Sequence, residues 1–139
     1  MVNTAFIDSG VILDVALARE PFVSESKTVL VMAQLRHFLG FTSSVCAANL
    51  YYFLRKNTGD RQARDFLSRL LSFVRVLPAD HQLMIDALKS PVGDFEDALQ
   101  CIAARRNNCT CIITRNAEDY REASACVYTP GEFLRLYGE

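Results

Sequence analysis

The chain has no surplus of charge of either sign: 15 Lys and Arg nearly balance 16 Asp and Glu, for a formal net charge of -1. That excludes the broad basic footprint of a nucleic-acid packaging protein, so a polyanion partner would have to meet a local patch. No apolar run approaches the roughly 20 residues that span a bilayer, and no membrane role is expected. The opening MVNTAFIDSGVILDV has neither a basic leader nor a small-residue cleavage site. Cysteine is sparse and odd in number: Cys46, Cys101, Cys109, Cys111 and Cys126. Without a secretory signal, this reads as free thiols in a reducing cytoplasm. Cys109 and Cys111 form C-x-C and lack the second pair or nearby His of a zinc ribbon, so the cysteines read as buried small hydrophobes. Repeats, low-complexity tracts and linkers are also missing. What remains is 139 residues, 50% hydrophobic and 22% charged. That suits one domain, residues 1–139, around one packed core.

Short β-rich runs alternate with longer helical patterns. TAFI, GFTS, VRVL, CTCIIT and CVYT read as strands. GVILDVAL reads as a short helix. Ser24 is the expected cap of SESKTVLVMAQLRHF, and Ser43 or Ser44 that of VCAANLYYFLRK. Gly59 and Asp60 restart a helix through RQARDFLSRLLSF. DHQLMIDALKS, the stretch from Asp94 to Arg106, and PGEFLRLYG complete the set, the last with Pro130 at its start and Gly138 at its end. This alternation predicts an α/β fold: a three-layer α/β/α arrangement with a central, mostly parallel sheet of four to five strands. In such sheets ligands gather beyond the carboxyl ends of the strands, at a switch in strand order. Asp8 follows the first strand and Thr114 to Asn116 follow the fourth, so chemistry is expected there.

Asp94, Glu96 and Asp97 crowd the head of one helix. At about 100° per residue, Asp94 and Asp97 lie about 60° apart and can reach one point. They flank an apolar arc of Phe95, Ala98, Leu99 and Ile102, where core meets solvent. Two readings stay open. The acids cap the helix and suit its positive end, or they hold a metal. Asp8 is open in the same way, as helix cap or metal ligand. Glu96 is expected to be solvated. Asn49 falls between Val45, Cys46 and Phe53, inside the apolar arc of its helix; a buried amide without partners costs about 1–3 kcal/mol, so a polar partner is expected. His37 and His81 read as surface residues. Tyr51, Tyr52 and Phe53 read as packing or interface residues.

Asp8-Ser9-Gly10 with VILD behind it, TSSVCAANLYYFLRK, GDFEDALQCIAA and IITRNAEDY follow one another in an order that resembles a PIN domain, the nuclease fold of VapC-type toxins. The resemblance runs from Phe6 to the closing TPGEFLRLYG. It implies a central parallel sheet and an acidic site that binds Mg²⁺ or Mn²⁺ and cuts RNA. Carried over, the first acid is Asp8 and the third Asp97, with Asp94 a companion one turn back. The fourth position is Asn116, with Asp119 close by as a metal ligand. Thr114 matches a supporting residue, and Ser9, Thr114 and Arg115 fall on the substrate side. At the second acid the family keeps Glu in A-E-L, whereas this chain has Ala48-Asn49-Leu50. Arg115, Arg105, Arg106, Arg55 and Lys56 are the cations that could steer an RNA backbone, or they form a solvated face. The resemblance further implies a partner antitoxin, a homodimer and a cytoplasmic protein.

Two other readings follow from the same residues. With Asn49 and Asn116 in acid positions, a catalytically weakened or inactive PIN-like interaction module is the alternative. A phosphatase of the haloacid dehalogenase type also opens with strand then Asp, but it needs a second acid at position 10, which is Gly.

Overall fold

The structure, a computed structural model, describes residues 4–91, 93–120 and 126–138, the side chain of Asp119 excepted. Five strands form one sheet: β1 (Thr4–Ile7), β2 (Leu39–Ser43), β3 (Val74–Leu77), β4 (Cys111–Ile113) and β5 (Cys126–Tyr128). Their order is β3-β2-β1-β4-β5, and every pairing is parallel. The expected "mostly parallel" sheet is therefore wholly parallel. Strands β2 and β3 extend it to one side of β1, then the chain crosses over to lay β4 and β5 on the other. The strand order thus reverses between β1 and β4, which puts a crevice at their carboxyl ends.

The helices are α1 (Ser9–Ala16), α2 (Val23–Gln34), α3 (Ser44–Thr58), α4 (Asp60–Leu70), α5 (His81–Leu88), α6 (Phe95–Arg106) and α7 (Pro130–Tyr137). A 3-10 turn spans Ala117–Tyr120. Because strand side chains alternate between faces, each strand feeds two cores. Ala5, Ile7, Cys111 and Ile113 pack with Val11 and Ile12 of α1, Val29 and Ala33 of α2, and Phe133 of α7. Phe6 and Ile112 point the other way, into Leu83 and Ala87 of α5 and Leu99, Ile102 and Ala103 of α6. Helix α3 serves both, with Leu50 in the first core and Cys46 in the second. The result is the three-layer arrangement expected. Helix α2 sits close on β2 at Gly40, where a Cβ would lie 3.2 Å from Ile7 Cδ1 and 3.4 Å from Ala33 Cβ.

Caps mark most helix starts. Asp8, Ser43, Asp80 and Asp94 each accept a backbone N–H from the first turn that follows them. Gly59, at φ 94°, takes the left-handed turn between α3 and α4 that a side chain would resist. Helix α2 departs from expectation: it begins at Val23 after Phe22, and no side chain caps it. Ser24 lies inside its first turn, and Ser26 is buried with its hydroxyl facing Asp14 at 3.5 Å. Helix α7 carries a full capping box. The Glu132 N–H donates to the Thr129 hydroxyl at 3.2 Å, and the Thr129 N–H donates to the Glu132 carboxylate at 2.9 Å. Thr129→Ala should therefore cost about 1 kcal/mol, visible as a fall of a few degrees in melting temperature.

All five cysteines are free. Cys46, Cys101 and Cys111 are buried as expected, Cys109 is half-buried, and Cys126 is exposed instead. Burial pushes the Cys46 thiol up to about 11 and those of Cys101 and Cys111 up to about 12. Protonated thiols of this kind are neither nucleophiles nor metal ligands near neutral pH. No helix among the described residues is long and apolar enough to cross a membrane.

Candidate functional site

The site starts from the register of three strands. Extended by one residue on the β4 side and by two on the β2 side, the pairing sets Ser43, Asp8 and Thr114 side by side at the carboxyl ends of β2, β1 and β4. All three are buried. The Asp8 N–H donates to the Ile113 carbonyl at 3.0 Å, which continues the ladder to the rim.

The Asp8 carboxylate, 7% exposed, is held from several sides. The Ser9 N–H donates to Oδ1 at 2.8 Å, and the Thr114 hydroxyl donates to Oδ2 at 2.7 Å. The Asn116 N–H donates in turn to the Thr114 hydroxyl at 3.1 Å, which fixes that hydroxyl's remaining direction. Gln100 of α6 lies beside Asp8 and also favours its ionised form. Gln100 is itself oriented by the Tyr120 hydroxyl, which donates to its Oε1 at 2.6 Å. Among the described residues no cation pairs with Asp8. Burial therefore raises its carboxyl above the usual range, and the bonds from Thr114 and Ser9, with Gln100 beside them, pull the other way.

Helix α6 brings the remaining acids. Asp94 is exposed and caps the helix, its Oδ1 accepting the Asp97 N–H at 3.0 Å. Asp97 is half-buried. It lies three residues before Gln100, so the two share one face of the helix. Asp8 and Asp97 both act on the Tyr120 hydroxyl and the Cys101 thiol, pushing each up.

Two expectations change here. Asn49 is exposed, not buried in an apolar arc, because the buried stripe of α3 is narrow: Cys46, Leu50 and Leu54. Asn49 lies beside that stripe, and its amide donates to the carboxylate of Glu96. Glu96, expected to be solvated, is half-buried and is the polar partner Asn49 needed. Asn116 is exposed and reaches the site through its backbone N–H. The side chain of Asp119 lies outside the described residues. Ser9 contributes its backbone N–H to Asp8.

The cations are mostly engaged elsewhere. The Arg115 Nε lies 2.7 Å from Asp14 Oδ2, and its guanidinium stacks 4.0 Å from the centre of the Phe22 ring. Arg106 pairs with Asp86. Arg55 and Lys56 are exposed at the far end of α3. His37 and His81 are exposed, as read from sequence. Gln100, Tyr120 and Asp14 were not anticipated. Their one sequence signal was a polar residue inside an apolar run, ALQCIAA for Gln100 and VILDVA for Asp14.

The donors at this crevice are hard oxygens, and a buried carboxylate without a counter-ion lies at its floor. Among the described residues, no three acidic, His or Cys side chains gather closely enough to hold a metal ion together. A cation here would be held by one or two carboxylates at most, with water and phosphate completing its shell. That is the habit of Mg²⁺.

The model of the PIN domain matches residues 4–118. The chain belongs to the PIN domain family. Solved structures agree with the fold. The toxin–antitoxin complex from Klebsiella pneumoniae superposes with a TM-score of 0.68 at 19% identity, covering 91% of this chain and 97% of that one. VapBC-1 from nontypeable Haemophilus influenzae gives 0.68 at 17% identity, covering 92% and 98%. Mycobacterium tuberculosis VapC20, a sarcin–ricin loop cleaving toxin, gives 0.63 at 18% identity, covering 78% and 86%. No curated protein matches this chain in sequence. In this PIN domain Asp8 and Thr114 meet in a hydrogen bond at neighbouring strand ends, and the Tyr120–Gln100 pair is buried on the α6 side.

Proposed function

We propose that this PIN domain is a divalent-metal-dependent endoribonuclease of the VapC toxin type, restrained by an antitoxin protein. The observation that carries the reading is Asp8: a buried carboxylate, oriented by Thr114 and Ser9, with no cation among the described residues to balance it. Evolution tolerates such a group at a strand end where a ligand supplies the missing positive charge. The cation is Mg²⁺ or Mn²⁺, with Asp8 and Asp97 its protein ligands, Asp94 at the rim and Asp119 as a further acid. When bound, such an ion makes a coordinated water more acidic and offsets charge developing on the scissile phosphate.

The chain's own residues do the positioning. Thr114, fixed by the Asn116 N–H, sets the plane of the Asp8 carboxylate. The Tyr120–Gln100 pair is buried on the α6 side. Asp97 presents its charge from the first turn of α6. RNA enters across the strand ends, past Ser9, Asn116 and the exposed start of α6. Neighbours solved as toxin–antitoxin complexes support the antitoxin. The exposed rings of Tyr52 and Phe53 on α3 offer apolar surface for that partner or for a second copy in a homodimer.

The purified chain should cleave RNA with Mg²⁺ or Mn²⁺ and stop on chelation, and Asp97→Asn should slow cleavage by about tenfold or more. Cleavage that persists in chelator would overturn the proposal. The second reading, an interaction module without catalysis, is favoured by one observation: no three carboxylates gather tightly among the described residues. It holds if the chain binds RNA or a partner but cuts nothing with either metal.

A further inference from the structure

The charge of the chain is near zero as a sum but is not evenly spread. The hairpin of α3 and α4 holds five cations, Arg55, Lys56, Arg61, Arg64 and Arg69, against two acids, Asp60 and Asp65. That is a net charge of +3, and it leaves ten cations against fourteen acids, or -4, on the rest of the chain. A polyanion is therefore attracted to the hairpin and repelled, on balance, by the remainder.

The cations gather at one place. Arg55 and Lys56 stand in the last turn of α3, and Gly59 alone separates that helix from α4. Arg61 follows in the first turn of α4. All three are exposed, and the ion pairs among the described residues do not include them. The acid beside them, Asp60, is already engaged. The Arg64 Nε donates to its two oxygens at 3.1 and 3.0 Å, and the Tyr51 hydroxyl donates to it as well. The Arg64 guanidinium lies 5.5 Å from the centre of the Tyr51 ring, which holds the pair in place. Asp60 is thus offset by Arg64, and Arg55, Lys56 and Arg61 face solvent with their charge intact.

The crevice lacks such a foothold. Its charged side chains are acids, and Arg115, which follows Thr114, is committed to Asp14 at 2.7 Å. A phosphate backbone crossing it needs cations further along the strand. The hairpin turn lies within reach. Ser43, beside Asp8 in the sheet, caps α3. Arg55 stands about three turns on, or about 17 Å along the helix. A stacked strand advances about 3.4 Å per nucleotide, which sets the turn about five nucleotides from the crevice. Arginine suits the task, because its planar fork donates paired hydrogen bonds to phosphate oxygens.

We propose that the α3–α4 turn is a second RNA contact, in which Arg55, Lys56 and Arg61 hold backbone phosphates of a strand whose scissile bond lies in the crevice. The inference rests on the reading of RNA as substrate and adds that its affinity comes from a surface remote from the acids.

Binding of a fluorescent single-stranded RNA of about 20 nucleotides, followed by anisotropy in chelator over a series of salt concentrations, tests this without cleavage. The wild type should bind, and more weakly as salt rises. Arg55→Gln, Lys56→Gln and Arg61→Gln together should weaken binding by about tenfold or more at low salt. They should also flatten the slope of log affinity against log salt by about 2, since a single strand gives about 0.7 per phosphate. A control that removes the same charge elsewhere, Lys27→Gln with Lys89→Gln and Arg135→Gln, should bind like wild type. All six positions are exposed, so melting temperatures should stay near wild type. Equal weakening in the two triple variants would mean diffuse charge and overturn the inference. Wild-type affinity in the hairpin variant would overturn it too, while metal-dependent cleavage by the same chain would leave the ribonuclease reading standing. Polyglutamate that binds the wild type as tightly as RNA, and is lost in the hairpin variant, would assign the turn to an acidic protein segment and overturn it as well. A wild type that neither binds nor cuts RNA would overturn both.

Discussion

Asp8→Asn is expected to reduce metal-dependent RNA cleavage by at least about a thousandfold, roughly 4 kcal/mol of transition-state stabilisation, and to make the metal-free protein more stable. The two effects have one cause. The Asp8 carboxylate is buried at a strand end with hydrogen-bond donors around it and no cation beside it among the described residues. Asparagine keeps the shape. Its oxygen can accept from the Ser9 N–H, and its amide can donate to the Thr114 hydroxyl, which rotates to accept. What it removes is the charge a divalent ion needs. Because burial raises the Asp8 carboxyl in the folded state, the ionised group works against folding at neutral pH. Wild-type stability is therefore lost as pH rises through that raised value and is regained as pH falls. In chelator at neutral pH, Asp8→Asn should gain about 1 kcal/mol, or a few degrees of melting temperature, and the gain should shrink toward acid pH. Calorimetry at two pH values, with and without Mn²⁺, checks it: the ion should stabilise the wild type and not the variant. A variant less stable than wild type in chelator would mean that the hydrogen bonds to Asp8 outweigh its desolvation.

The strand ends were legible because alternation of β-rich and helical runs fixes which residues follow a strand, and Asp8 and Thr114 follow theirs directly. The acids of α6 were legible because their spacing shares a helix face. Asn49 was misplaced because a helical wheel gives the direction of an apolar arc and not its width. The buried stripe of α3 stops at Cys46, Leu50 and Leu54. Its partnership with Glu96 depends on how α3 and α6 flank β1, which no local pattern encodes. Gln100 and Asp14 sit in runs that read as uninterrupted core, and each is polar because it meets a residue distant in sequence: Gln100 meets Asp8 and Tyr120, and Asp14 meets Arg115. A lone polar residue in an apolar run was the available signal, and it was followed only for Asn49. The cap of α2 failed for a different reason. Ser26 and not Ser24 carries the polar role, turned inward to Asp14, and the helix begins earlier without a side-chain cap.

Arg115→Ala is expected to destabilise the fold by about 3 kcal/mol, near 10 °C in melting temperature, whether or not RNA or metal is present. Arg115 follows Thr114 directly, which makes it look like a substrate cation, yet its guanidinium is committed to Asp14. That carboxylate is fully buried on α1, with Arg115 Nε 2.7 Å away, Arg19 at 3.9 Å and the Ser26 hydroxyl at 3.5 Å. Removing Arg115 leaves the charge with one distant, half-exposed cation and a weak hydroxyl contact, the situation in which breaking a buried pair is costly. Lysine should recover only part of the loss, since it lacks the planar contact with Phe22. Replacing both partners, Asp14→Leu with Arg115→Met, should bring stability back near wild type, because no unpaired charge then remains. The same substitution reaches the site indirectly. Arg115 anchors the segment that carries the Thr114 hydroxyl and the Asn116 N–H, so loosening it frees the two groups that orient Asp8. Cleavage by Arg115→Ala should therefore fall with stability and be regained in the apolar double variant. An Arg115→Ala protein that melts like wild type but binds RNA poorly would return Arg115 to the substrate side.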